Sequence, residues 1–533
     1  MLLSVPSKAM ETPLTPLEFK RRARSLYAGR EAVVDGDHRF TYAQFFDRCD
    51  QWSAALTRLG VKKGDRVAYV SSNTHAQLES FYAVPQIEAV LVPVNFRLTP
   101  PEIAFILQHS GATVVCAHED FLDVVDAIRS QCPGVRHYVA LEGRRDEWED
   151  YEALVAAEAG AIVEPPVPDE RDLLTINYTS GTTSRPKGVM ITHRNAYMNA
   201  VGTLLHVPMT CADRYLWTLP MFHANGWTFV WIVTAVGATH VCLRKVDPRR
   251  ACGLIRDEAV TMLCAAPTVL IGLANASPED RGSIPRGVRV VTAGAPPAAA
   301  TIQRVEGEFG WDLTQVYGLT ETAPFITVCE PRPEHQSLDA DARAIVKARQ
   351  GVELITSGEL RVVDEDDHPV PHDGQTLGEI VVRGNVVMAG YFEDPDATAQ
   401  AMRGGWFHSG DAAVVHPDGY LEIRDRFKDV IISGGENISS VEVEGVLMRH
   451  AVVQEVAVVG MPHEKWGETP HAFVVRCPDV AGDAADLIAF ARDQLAHFKA
   501  PTQVHFVDEL PKTATGKIQK YVLRQGRAGI ATQ

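Results

Sequence analysis

The chain has 533 residues, too many for one ordinary hydrophobic core, so two or more domains are expected. Apolar residues make up 46% and charged residues 22%, a globular profile, and the net charge of −17 argues against nucleic-acid binding through bulk electrostatics. Nine cysteines are scattered without C-x-x-C pairs or Cys/His spacing, which suggests neither a disulfide framework nor a zinc site and points to a reducing compartment. The apolar run at the N-terminus is too short for a signal peptide, and Phe229 to Leu243 is too short and too interrupted to span a bilayer. The terminal A-T-Q matches no lipidation or peroxisomal address, so a cytoplasmic location is expected.

The first third alternates strand and helix signals. Arg66–Val70 reads as a strand, and residues 74–87 carry helix-spaced Leu78, Phe81 and Tyr82 before Pro85, which predicts a kink or an early end. Val90–Val94 is again strand-like. Thr99-Pro100-Pro101-Glu102 supplies an N-cap, an N1 proline and a capping-box Glu ahead of Ile103, Ile106 and Leu107, and residues 113–117 close the unit. Such β–α–β alternation predicts an α/β fold with largely parallel sheets covered by helices.

A strand over residues 169–177 is predicted to lead into Tyr178–Gly188, Y-T-S-G-T-T-S-R-P-K-G, with a helix N-capped at Thr192 beyond it. Hydroxyls, bare backbone N–H groups and one lysine make this stretch a candidate polyphosphate cradle, although it fails the Walker A pattern; the alternative is a solvated Ser/Thr/Gly turn. Residues 357–363 and 378–382, with turns at 364–367 and 373–374, suggest a small β subdomain. Beyond the change of texture at 425–435 come a helix (440–448), strands (452–459 and 472–475), a helix (486–496) and a strand (504–507), enough for a separate small domain.

Five more segments bear on chemistry. Pro220–Gly226, P-M-F-H-A-N-G, sets a His beside a small-residue bend, where a satisfied core His is the plain reading. Gly294-Ala295-Pro296-Pro297 lets backbone approach a flat ligand, or is an ordinary strand-to-helix turn. Gln315–Thr322, Q-V-Y-G-L-T-E-T, offers Glu321 as an oxygen ligand for Mg²⁺, or as part of a capped helix start. Trp406–Asp411 ends in a carboxylate suited to ribose hydroxyls, and Lys512–Lys520 is a basic loop.

In their order, these motifs resemble the adenylate-forming superfamily of acyl-CoA synthetases, nonribosomal adenylation domains and luciferases, over roughly Arg39 to Gln519. P-M-F-H-A-N-G-W together with A-V-G-A-T-H-V-C-L-R-K-V-D-P is similar to the short- and medium-chain acyl-CoA synthetase subgroup. The resemblance implies a large N-terminal core of parallel-rich sheets, helices and a small β subdomain (1–427), and a small mobile α+β C-terminal domain (428–533). It implies an ATP-dependent ligase that makes acyl-AMP and pyrophosphate, then an acyl-CoA, with ATP, Mg²⁺ and CoA bound.

Residue by residue, it implies that Thr179, Ser180, Gly181, Thr182, Thr183 and Lys187 hold the β- and γ-phosphates, with Ser184 departing from the usual Gly. The backbone of Gly294, Ala295 and Pro296 would sandwich adenine with Tyr317, and Gln315 and Gly318 would also bind ATP or AMP. Thr320 would meet the α-phosphate, Glu321 would bind Mg²⁺, and Asp411 and Arg426 would hold ribose. Lys517, Thr320 and His223 are the implied catalytic residues. The acid would lie among Phe222, His223, Trp227, Val230, Gly318, Leu319, Ala323 and Phe325, where no carboxylate stands to pair an ammonium, so a short, medium, branched or aryl acid is expected. Lys428 is the implied hinge and Gly434, Gly435, Glu436 and Asn437 the CoA tunnel. Two other readings stay open, loading of a free-standing carrier protein and a non-catalytic nucleotide-binding module; a homodimer is compatible with the chain.

Overall fold

The computed structural model describes residues 11–166, 168–179, 186–294, 297, 299–426, 429–433, 436–478, 480, 482–512 and 518–524. Two large sheets dominate. The first has eight strands in the order Gly390–Tyr391, Lys187–Thr192, Leu173–Thr179, Val90–Val94, Arg66–Val70, Ala112–Ala117, His137–Ala140 and Glu149–Asp150. From Leu173–Thr179 onward it is parallel, while the two strands at the other edge run antiparallel. The second has nine strands, parallel from Glu31–Asp35 through Thr239–Val241, Arg214–Leu216, Met262–Ala265 and Arg289–Thr292 to Asp312–Gly318.

The local rules hold where the sequence states them plainly. Val90–Val94 is buried along its whole length, as an unbroken apolar run in a sheet covered on both faces should be. The helix His75–Ala83 stops before Pro85 and passes into a 3-10 turn, Pro85–Ile87. The helix Pro100–Ser110 starts with the expected box: Glu102 accepts the Thr99 backbone N–H at 2.8 Å.

Several expectations need correction. The strand before the hydroxyl-rich segment begins at Leu173, because Asp169 folds its own backbone into a turn, accepting the Arg171 N–H at 2.9 Å. More consequentially, Lys187–Thr192 is a strand rather than a lead into a helix, so the candidate cradle joins two antiparallel strands; the helix His193–His206 follows, capped by Thr192 and Asn195. The β signal was present in V-M-I-T. The strand expected from Ser357 begins at Glu359, because Gly358 (φ +95°) turns the chain first. The two short C-terminal strands are one long hairpin, Val453–His463 with Gly467–Arg476, running through Pro462 and Pro470.

A four-stranded antiparallel sheet, Glu359–Val363, Gly378–Arg383, Phe407–Val415 and Leu421–Arg426, forms the β subdomain. Ile380, Val382, Phe407 and Ala413 of this sheet belong to the same buried cluster as Trp52, Tyr69, Trp217 and Trp231, so it seals the large core rather than forming its own. Residues 431–523 build separate cores around Ile431, Leu447, Val458 and Leu487, and around Phe473 and Leu523.

Candidate active site

The carboxyl end of the second sheet meets the four-stranded sheet at Asp411. Asp411 and Arg426 are cross-strand partners in the four-stranded sheet, with Arg426 Nε 3.1 Å from Asp411 Oδ1 but off the hydrogen-bonding axis. Tyr317 donates its hydroxyl to the other carboxylate oxygen at 2.7 Å. Burial and the Asp411 carboxylate push the Tyr317 phenol well above its usual range, so it remains a donor. Asp411 holds the Arg426 guanidinium more firmly charged, against the cost of burial.

Behind Tyr317 lie two buried polar atoms without protein partners, Gln315 Oε1 and Thr292 Oγ1, on residues paired across adjacent strands. Gln315 and Tyr317 are two apart on one strand and so share a face. Buried polar atoms are rarely left unbonded in a folded protein, and such a pair beside a ring and a carboxylate fits a ligand that brings its own donors.

Glu321 sits half-buried in the 3-10 turn Thr320–Thr322, where Thr320 is buried. Its Oε1 accepts the Tyr391 hydroxyl at 3.0 Å and its carbonyl accepts the Met388 N–H at 2.8 Å. Burial raises the Glu321 carboxyl above its ordinary range, which a nearby cation would reverse. Lys187, paired through its Cα with Thr179, carries its ammonium 4.8 Å over the Tyr391 ring. Gly188 next to it leaves no room for a side chain: a Cβ would lie 2.9 Å from Ile176 and 3.1 Å from Tyr178. The helix His193–His206 ties these pieces together. Asn195 donates to the carbonyls of Asn385 and Val387 at 2.7 and 2.9 Å, and Asn199 to those of Thr322 and Phe325 at 3.2 and 2.7 Å.

The expected acid-pocket residues also gather here. Phe222, Trp227, Val230, Ala323 and Phe325 are buried, while His223, Gly318 and Leu319 are half-buried. Trp227 meets Phe325 edge-on with ring centroids 5.7 Å apart, and the Cβ position at Gly294 lies 4.0 Å from the indole. Trp227 is aimed by an unusual backbone: Ala224, Asn225, Gly226, Trp227 and Thr228 all have left-handed φ, from 36° to 67°. Each non-glycine residue in that region costs roughly 1–2 kcal/mol, so the turn has to be held. Asn225 donates to Thr175 Oγ1 at 2.9 Å and accepts from Asn177 at 3.2 Å, and Asn73 donates to the carbonyls of Trp217 and Leu219 upstream. At Gly226 a Cβ would strike Trp217 at 2.5 Å.

Sequence reasoning missed Thr175, Asn177, Asn195, Asn199 and Tyr391. Only the Asn-Gly pair at 225–226 carried a turn signal. Glu436 is exposed on the strand Glu436–Ile438, which also contains Asn437. Ser180, Gly181, Thr182, Thr183, Ser184, Ala295, Pro296, Lys428, Gly434, Gly435 and Lys517 lie outside the described residues. Among the described residues no helix is long and apolar enough to cross a membrane.

The sequence profile of AMP-binding enzymes matches residues 19–392, and that of the AMP-binding enzyme C-terminal domain matches residues 442–517. A 4-hydroxybutyrate–CoA ligase 2 of Metallosphaera sedula is 43% identical over 529 residues, covering 97% of this chain and 95% of its own. A peroxisomal trans-cinnamate:CoA ligase of Petunia hybrida is 40% identical over 535 residues, covering 96% of this chain and 94% of its own. The crystal structure of the anthranilate CoA ligase AuaEII in complex with anthranoyl-AMP superposes with a TM-score of 0.87 at 25% identity, covering 97% of this chain and 98% of that one.

Proposed function

The chain belongs to the AMP-binding enzyme family, and we propose that the residues gathered around Asp411 divide between them the two half-reactions of an acyl-CoA ligase. The chain is an AMP-forming acid–thiol ligase that uses ATP, Mg²⁺ and CoA. In the first half-reaction a substrate carboxylate oxygen bonds to the α-phosphorus and the bond to pyrophosphate breaks. In the second, the CoA thiol attacks the acyl carbon, its proton is lost and AMP leaves.

The observation that carries the residue assignment is the convergence of Tyr317 and Arg426 on Asp411 beside the unpartnered Gln315 and Thr292. In this reading Asp411 accepts the ribose hydroxyls, Arg426 steadies it, and Gln315 and Tyr317 bind adenine alongside Gly294 and Gly318, with Ala295 and Pro296 completing that wall. Lys187 and Thr179, with the 180–184 hydroxyls, take the β- and γ-phosphates, and Thr320 the α-phosphate. Glu321, a half-buried oxygen donor, fits Mg²⁺, which when bound with the triphosphate supplies charge neutralisation at the phosphate oxygens.

Attack of one anion on another needs a cation between them, and Lys517 is assigned that role. His223 borders the acid carboxylate. The apolar wall formed by Phe222, Trp227, Val230 and Phe325 supports a short, branched or aryl acid without an ammonium group, in keeping with relatives named for hydroxybutyrate and cinnamate. We place the domain boundary at 427/428, with Lys428 as hinge and Gly434 to Asn437 along the CoA path; the separate cores beyond Ile431 support it. Nine free thiols, most of them buried, support a cytoplasmic setting. Carrier-protein loading is not favoured.

The test is pyrophosphate release over a panel of linear, hydroxylated, branched and aryl acids with CoA present. With the best acid, Lys517→Ala is expected to lower acid-dependent ATP–pyrophosphate exchange by about 10²–10³ while sparing thioester formation from supplied acyl-AMP. Undiminished exchange in that variant refutes the assignment.

A further inference from the structure

Lys187 and Glu321 come from elements far apart in the chain, yet both touch one side chain that the motif reading did not include. The Tyr391 hydroxyl donates to Glu321 Oε1 at 3.0 Å, and the Lys187 ammonium lies 4.8 Å from the centre of the Tyr391 ring. The backbone explains why. Tyr391 pairs directly with Val189 across the antiparallel edge of the first sheet, so the two side chains share a face, and Lys187, two residues before Val189, shares it too. On the other side, the Met388 N–H binds the Glu321 carbonyl, and Asn195 and Asn199 fix the Asn385–Val387 stretch and the Thr320–Thr322 turn from one helix face.

The ammonium of Lys187 and the carboxylate of Glu321, both half-buried and set against one tyrosine, attract each other, and direct pairing would leave each less available to phosphate and metal. Tyr391 offers each charge a different partner, a π face for the cation and an O–H for the anion. Resting on the reading of Lys187 and Glu321 given above, we propose that Tyr391 is a positioning residue that keeps these two charges apart and set for the Mg²⁺–triphosphate.

The test is equilibrium binding of α,β-methylene-ATP, whose bond between the α- and β-phosphates cannot be broken, to the full chain by calorimetry, with and without Mg²⁺, which reads affinity without turnover. Tyr391→Phe keeps the ring and removes the hydroxyl. It is expected to weaken binding about tenfold with Mg²⁺ and little without it. In a Glu321→Gln background the same change is expected to have no further effect, because the hydroxyl acts through that carboxylate. Tyr391→Leu removes the ring as well and is expected to weaken Mg²⁺-free binding too. Wild-type affinity of Tyr391→Phe with Mg²⁺, or an equal loss with and without it, overturns the proposal. If Glu321→Gln keeps full Mg²⁺-dependent binding, the metal reading itself fails, whatever Tyr391 does. Should the Leu variant not fold, the Phe variant and its double-mutant cycle decide alone.

Discussion

At the scale of single residues, the site depends on backbone that most side chains would refuse. Gly226 shows this most directly: its φ of +54° disfavours a Cβ, and a Cβ there would meet the Trp217 ring at 2.5 Å. Gly226→Ala is therefore expected to rotate the turn and displace the neighbouring Trp227, which packs on Phe325 in the proposed acid wall. The residues proposed for adenine and phosphate lie on other elements. Steady-state kinetics are expected to give an acid KM raised about tenfold or more with the ATP KM nearly unchanged, since a penalty of 1–2 kcal/mol corresponds to roughly that factor. Equal increases in both would mean that the turn does not act on the acid alone. Little of this was legible beforehand. Thr99 and Glu102 announced their capping box because both partners lie within one turn of the chain. Asn177 and Asn225 bond across 48 residues, and Tyr391 meets Glu321 across 70, so no local pattern marks them.

At the scale of elements, the first and second sheets are stitched by buried charge as well as by apolar packing. Asp35, closing the strand Glu31–Asp35, accepts both the backbone N–H of His75 at 3.0 Å and its ring nitrogen at 2.8 Å. The other ring nitrogen faces Glu152 at 3.3 Å, and Arg244 spans Asp35 and Glu142, which follows the strand His137–Ala140. Burial opposes charge on His75, but the hydrogen bonds it donates to Asp35 and Glu152 outweigh it, aided by Glu79, and lift its pKa to about 9. A folded pKa above the unfolded value near 6.5 means stabilisation that is complete below about pH 6.5 and is lost as pH rises through 9. Its upper bound is about 3 kcal/mol. Urea midpoints are expected to fall between pH 6.5 and 9.5 in the wild type, and distinctly less in His75→Gln, with other titrations cancelling in the comparison. Parallel slopes would rule the seam out as a pH-dependent support. Apolar spacing foretold the helix that carries His75, but the strand Glu31–Asp35 and the elements that place Glu142, Glu152 and Arg244 were not foreseen. The sequence did not foretell the seam, nor that Lys187–Thr192 is a strand, because β-branched residues after a Ser/Thr/Gly run fit either reading until a pairing partner is known.

At the scale of the whole molecule, the order of motifs and a separate C-terminal unit were legible, and the place of the four-stranded sheet was not. The four-stranded sheet looked like a subdomain in the chain, yet it closes the main core, while residues beyond Ile431 bury their own clusters. Hydrogen bonds at one helix start join the two. Asp425, buried at the end of its strand, accepts the N–H of Ser440 at 3.0 Å and also its hydroxyl, and Ser440 in turn accepts from Lys520, which pairs with Glu444 at 2.8 Å. Just beyond the boundary, within the C-terminal unit, Arg524 pairs with Asp429 at 2.8 Å. A joint made of hydrogen bonds at one helix start can be released at far smaller cost than an apolar interface of similar extent, which is compatible with the hinge proposed at Lys428. Asp425→Ala removes the acceptor at the centre of this joint without touching either core. Limited proteolysis is expected to cut more readily between residues 426 and 436, and the ratio of the adenylation rate to the thioester-forming rate is expected to change several-fold. The main unfolding transition should stay in place, because the aromatic core around Trp52 and Trp231 is intact. An unchanged ratio, with unchanged cleavage, would show that Asp425 only caps the helix Ser440–Leu447 and has no hold on domain placement.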